Sequence, residues 1–104
     1  MAKYYVQSGS SRIVMTAADP HAAALWLVHR AMKDVLPAYD DPSLTEEDRC
    51  ELAIVQGLMQ LDNVVSIDER GFDRPDAIQI DVFHLIESWH QLMSALIKME
   101  SDLL

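Results

Sequence analysis

The stretch KYYVQSGSSRIVMTA (residues 3–17) decides the fold class. Positions 4–7 are rich in aromatic and β-branched residues, a Ser/Gly cluster follows at 8–11, and residues 12–17 alternate polar and apolar at their start. Gly9 can take the positive φ that a tight hairpin turn requires. The stretch therefore predicts an antiparallel β-hairpin at the start of the chain.

A helix is predicted directly after the hairpin. Asp19 can accept hydrogen bonds from the amides of a first helical turn, and Pro20 suits the first helical position. The apolar stripe of this helix continues to about Val35. Trp26 and Leu27 lie off the stripe, so we expect either an additional covering layer or a contact with a second subunit.

The middle of the chain predicts a loop and then a second helix. Two prolines and two adjacent aspartates indicate a loop over residues 36–44. Thr45, followed by three acids, is a good helix N-cap, and the helix is predicted to end near Gln60. The apolar run at 52–55 also suits a buried strand, so the pattern leaves helix or partial strand open for residues 46–60.

The last third of the chain predicts a strand over residues 63–68, a loop over 69–74, and a long helix from Pro75 to about residue 100. Ile80 and Phe83 lie well off the apolar stripe of that helix, where a surface helix should be polar. They are therefore a second indication of extra covered area.

These elements give the order β-β-α-α-β-α within a single domain spanning residues 1–104. The simplest packing is an α+β fold with two layers. A three-stranded antiparallel sheet, made of the hairpin and one further strand, packs against three helices.

Composition restricts the classes of function. The 104 residues carry eight Lys+Arg and seventeen Asp+Glu, a formal net charge of −9, which argues against nucleic acid because phosphate binding needs a basic stripe. No apolar run approaches the ~18–20 residues of a membrane span, and no signal-peptide core is visible at the N-terminus. A single cysteine, Cys50, fits a reducing compartment. We therefore expect a cytoplasmic protein that binds neither nucleic acid nor membrane.

No motif predicts catalysis, a cofactor or a metal site. The four histidines lack metal-ligand spacing, and the acids around Cys50 oppose formation of a thiolate. The segment 40–51 carries six carboxylates, which indicates a solvated loop and helix start or a docking surface for a basic protein partner. The balance favours a protein without enzymatic activity and without a cofactor.

The loop at residues 69–76 is the strongest candidate for ligand binding. Arg70 and Arg74 precede the predicted last helix and could bind a small anion such as a phosphate or carboxylate. The alternative is a self-satisfied loop, in which Glu69 pairs with Arg74 or Arg70 pairs with Asp73, and Phe72 covers the edge of the core.

Three stretches resemble a group of short bacterial proteins of uncharacterised function: KYYVQSGSSRIVM (3–15), AADPHAAALW (17–26) and VVSIDERGFDRPDA (64–77). The resemblance spans residues 4–89 and is most specific at the Glu-Arg-Gly-Phe loop, 69–72. It implies a stand-alone cytosolic α+β domain. It implies no activity, cofactor or catalytic residue.

The sequence thus predicts a small soluble interaction or scaffold protein that forms a homodimer. Its candidate contact residues are Trp26, Leu27, Ile80 and Phe83. We expect a Phe83→Asp substitution to yield a monomer. The alternative prediction is a module that binds a small anionic ligand at residues 69–76.

Overall fold

The computed structural model describes residues 1–103, with backbone only at positions 101 and 103, and its helices cover one face of an antiparallel sheet. The sheet has four strands in the spatial order β2-β1-β3-β4. The strands are β1 (Ala2–Ser8), β2 (Ser11–Ala17), β3 (Val64–Asp68) and β4 (Ile78–Asp81).

The helical layer contains three α-helices and one 3-10 helix within the described residues. These are α1 (Pro20–Ala31), the 3-10 helix (Lys33–Asp40), α2 (Glu46–Gln60) and α3 (Val82–Leu103). The predicted α+β class and the antiparallel sheet are confirmed, whereas the predicted numbers of strands and helices are each one too low. None of these helices is long and apolar enough, over the described part of the chain, to cross a membrane.

The hairpin and the helix starts follow the sequence signals. Ser8 and Ser11 pair across the turn, and Gly9 has φ +58°. The Asp19 carboxylate accepts a hydrogen bond from Ala22 N at 2.8 Å. Thr45 and Asp48 form a reciprocal capping box, and α2 is helical throughout, which settles the choice between helix and strand.

The first correction concerns the start of the last helix, which lies at Val82 and not at Pro75. Residues 78–81 form β4, which pairs with β3 and places Ile80 beside Val65. The Asp81 carboxylate then accepts a hydrogen bond from His84 N at 2.9 Å, so Asp81 and not Pro75 opens the helix. Ile80 is therefore a strand residue facing the core.

The second correction concerns the end of the first helix and the loop after it. The α-helix ends at Ala31, and Met32 N contacts the carbonyl oxygens of both Val28 and His29, at 3.0 and 3.1 Å, as the chain tightens into the 3-10 helix. The 3-10 helix contains Pro37, which has no backbone N–H and would interrupt an α-helical ladder.

The core lies between the inner face of the sheet and the helices. Its largest fully buried side chains are Trp89, Tyr39, Leu27, Met32, Ile67, Leu85 and Ile86. Helices α2 and α3 approach so closely at Gly57 that a Cβ there would collide with Ile86 Cδ1. The buried Ser8 hydroxyl donates to Val64 O at 2.8 Å and accepts from Asp62 N at 2.9 Å, which ties the end of β1 to the connection before β3.

Candidate functional site

The loop between β3 and β4 is held by ion pairs at its first arginine. Arg70 contacts both carboxylate oxygens of Asp68, at 2.9 Å through Nε and 2.6 Å through a terminal nitrogen. The same terminal nitrogen lies 2.7 Å from Asp76. These hydrogen bonds lower the pKa of the buried Asp68 carboxyl to about 2 and also lower the pKa of Asp76.

The tip of the loop folds over the outer face of the sheet. The Phe72 ring packs edge-to-face against Tyr5 with ring centres 5.2 Å apart, and the Arg12 guanidinium lies 5.1 Å above the same ring. Arg12 also forms a 3.0 Å ion pair with Asp73, whose backbone has φ +57°. Phe72 thus covers the sheet surface and not the edge of the core.

These contacts bear on the predicted anion site. Arg70 already has two carboxylate partners, so an anion would compete with both. Arg74 is exposed, and its positive charge contributes to the lowered pKa values of Asp68 and Asp76. Arg70 therefore pairs with Asp68 and Asp76, and the predicted pair Arg70–Asp73 is wrong because Asp73 pairs with Arg12 instead. The predicted pair Glu69–Arg74 is not among the ion pairs of the described residues. Anion binding at Arg70 and Arg74 stays a prediction without a supporting contact.

The structure separates the four predicted contact residues. Leu27 is 1% exposed and belongs to the core of the single chain, and Ile80 is partly buried against that core. Trp26 and Phe83 are 56% and 49% exposed. Phe83 shares a helical face with Ile86, which contacts α2, whereas Trp26 faces the other side of α3.

Trp26 borders an apolar groove between α1 and α3, which we call the α1/α3 groove. It has a volume of about 380 Å³ and is lined by Ala22, Leu25, Trp26, His29, Trp89, Leu92, Met93 and Leu96. Leu92 and Leu96 are 50% and 47% exposed. The groove therefore presents aliphatic and aromatic surface to solvent.

A hydrogen bond at the base of the groove joins α1 to α3. The Trp89 indole N–H donates to His29 Nδ1 at 3.0 Å. An indole nitrogen can only donate, so His29 Nδ1 is the acceptor of this bond. Trp26 packs edge-to-face on the same imidazole, with ring centres 5.7 Å apart.

Leu92 and Leu96 are half exposed, whereas the residues that follow each of them, Met93 and Ile97, are partly buried against the core. On the same apolar stripe, Leu85 and Trp89 are fully buried. The sequence places Leu92 and Leu96 on the apolar stripe of the predicted last helix, which predicts burial, so their exposure was not expected. Periodicity alone gives no signal that would have found it, because it does not show how far the stripe is covered.

A second polar network lies on the α2 side of α3. The fully buried Tyr39 hydroxyl is 2.6 Å from His90 Nδ1, and His90 Nε2 is 3.6 Å from a Glu46 carboxylate oxygen. Burial raises the pKa of Tyr39 to about 12. The network joins the 3-10 helix, α2 and α3.

Other candidate groups do not converge. His21 and His84 pack edge-to-face with ring centres 5.8 Å apart, and no three His, Cys, Asp or Glu side chains within residues 1–103 could together hold a metal ion. Cys50 is a free, half-buried thiol.

No protein-family model, curated protein or solved structure matches this chain. The resemblance to short bacterial proteins stays a prediction.

Proposed function

We propose that this protein is a small non-catalytic interaction or scaffold protein that self-associates through the α1/α3 groove. The observation that carries the proposal is the exposure of Leu92 and Leu96 on the core stripe of α3, beside an exposed Trp26. Trp is among the residues most enriched at protein interfaces. A cytoplasmic setting is part of the proposal and agrees with the free thiol of Cys50.

A second copy suits the groove because one surface offers both a protruding group and a depression. Trp26 stands at the rim, and the groove beside it is apolar. In an isologous contact, Trp26 of each protomer can pack into the groove of the other, since the two-fold axis presents the same patch twice. Removing these side chains from water is the favourable term.

The area of the patch predicts a weak contact. The patch consists of four side chains that are each about half exposed: Trp26, Leu92, Leu96 and Met99. A standard interface buries ~800 Å² per partner from about 20–30 residues, so we expect a weak dimer that dissociates in the micromolar range.

Sedimentation velocity from about 5 to 300 μM tests the proposal. Wild type should shift from monomer to dimer with concentration, and Leu96→Asp should stay monomeric because the charge would be buried unpaired. Val14→Asp is the matched control, since Val14 is similarly exposed on the opposite face of the sheet, and it should dimerise like wild type.

The Phe83→Asp variant decides between the two sides of α3. If Phe83→Asp abolishes the dimer and Leu96→Asp does not, self-association holds but the groove is not its surface. If wild type stays monomeric at 300 μM, self-association itself is wrong.

A further inference from the structure

Helix α2 has a second apolar face that points away from the core. Its inward face carries Ala53 and Gly57, both fully buried against the other helices. Its outward face carries a row of exposed apolar side chains, which we call the α2 outer stripe: Leu52, Val55, Leu58 and Met59. Spacings of three and four residues place them side by side along the helix.

The stripe is bordered by acids at its N-terminal end. Glu47, Asp48 and Glu51 are exposed there. The Asp48 carboxylate is used in the capping box, whereas Glu47 and Glu51 have no hydrogen-bond or ion-pair partner among the described residues. Two carboxylates beside the stripe are therefore available to an outside group.

The one basic residue of α2 is turned inward. Arg49 donates to Ala38 O at 3.1 Å and to Asp41 O at 2.7 Å, both on the side of the 3-10 helix. The solvent-facing surface of α2 (Glu46–Gln60) therefore carries acidic side chains and no basic one. This sets the α2 outer stripe apart from the α1/α3 groove, whose lining residues carry no acid.

We propose that the α2 outer stripe binds a basic amphipathic helix of a partner protein. Apolar side chains of that helix at i, i+3 or i+4, and i+7 would pack along the stripe, and its Lys or Arg residues would pair with Glu47 and Glu51. Pairing of this stripe with the same stripe of a second copy is disfavoured, because α2 presents acids and no outward cation. The proposal is independent of self-association through the groove.

A pair of synthetic peptides tests the charge argument. One is a 16-residue helical peptide with Leu at i, i+3 or i+4, and i+7 and Lys at most other positions, and its control has Glu in place of every Lys. We expect the Lys peptide to bind wild type with an affinity that falls as salt rises, and the Glu peptide to bind at least tenfold more weakly. Equal binding of both peptides would overturn the proposal.

Variants of the full chain locate the site. Val55→Asp should weaken binding of the Lys peptide at least tenfold, and Glu47→Gln with Glu51→Gln should weaken it several-fold and flatten its salt dependence. Leu96→Asp, in the groove, should bind like wild type. Met59→Glu repeats the test at a more exposed position if Val55→Asp does not fold.

Amide chemical-shift mapping completes the experiment. Shifts induced by the Lys peptide should cluster on the outward residues of α2. Shifts that cluster in the α1/α3 groove, unchanged binding by Val55→Asp, or no binding of the Lys peptide at 500 μM would each overturn the proposal.

Discussion

The two halves of α3, which we divide into residues 82–91 and 92–103, carry the same apolar stripe but differ in how much of it is covered. Leu85 and Trp89 in the first half are fully buried, whereas Leu92 and Leu96 in the second half are half exposed. At 100° per residue, all four side chains lie within about 60° of one another around the helix axis. The difference teaches that periodicity determines which side of a helix is apolar, and that packing against neighbouring elements determines how much of that side is covered.

Matched leucine substitutions should separate the two halves most strongly. Leu85→Ala creates a cavity in a fully packed region and should lower the free energy of unfolding by about 2–5 kcal/mol. Leu92→Ala removes side-chain atoms that are already half in water and should cost under about 1 kcal/mol in the monomer. Urea unfolding at a few micromolar protein measures both.

Raising the protein concentration sharpens the same comparison. If the second half of α3 is covered in a dimer, wild type should gain stability with concentration, and Leu92→Ala should lose that gain. If Leu85→Ala and Leu92→Ala lower the free energy of unfolding equally at low protein concentration, the two halves of α3 are buried to the same extent in the monomer.

Gly57→Ala tests the contact that buries the first half of α3 against α2. Alanine is the better helix former by ~1 kcal/mol, but its Cβ would collide with Ile86 Cδ1 in a fully buried place. We expect a net loss of about 1–3 kcal/mol in thermal or urea unfolding, as for other overpacked cores. A stabilised variant would mean that Ile86 can move aside, and thus that even this half of α3 is loosely held.

Much of the fold could be predicted because its signals are local. The Gly9 turn, the Asp19 cap and the Thr45 cap each depend on a few adjacent residues. The strand β4 could not be predicted this way, since the spacing of Ile78, Ile80 and Val82 suits a strand and also joins a helical run. Pairing with β3 decides between the two, and that contact is not local.

The surface was harder to predict than the fold. Trp26 and Leu27 are neighbours in sequence and both lie off the predicted stripe of α1, yet Trp26 is exposed and Leu27 is buried. The reason is that α1 packs against both the sheet and α3, so its buried arc is wider than one stripe and its limits depend on the placement of α3. The sequence predicts that Arg70 can pair within its loop but indicates Asp73 as the partner, whereas Asp68 and Asp76 are the partners because Asp73 pairs with Arg12 across the sheet.

The Tyr39 hydroxyl contacts His90 where the buried half of α3 ends. Tyr39→Phe keeps the ring packed edge-to-face on Trp89 but leaves His90 Nδ1 without its buried partner. The substitution should lower the free energy of unfolding by about 1–2 kcal/mol at pH 8.

The pKa of Tyr39 is raised from 10.0 to about 12, so the folded state favours the neutral phenol. Its contribution is complete below pH 10 and is lost as the pH rises through about 12. The difference in unfolding free energy between wild type and Tyr39→Phe should therefore narrow between pH 10 and pH 12 in urea titrations, with other alkaline groups cancelling in the difference. If the difference in unfolding free energy stays constant from pH 10 to pH 12, the Tyr39 phenol is solvated. The buried half of α3 would then end before His90.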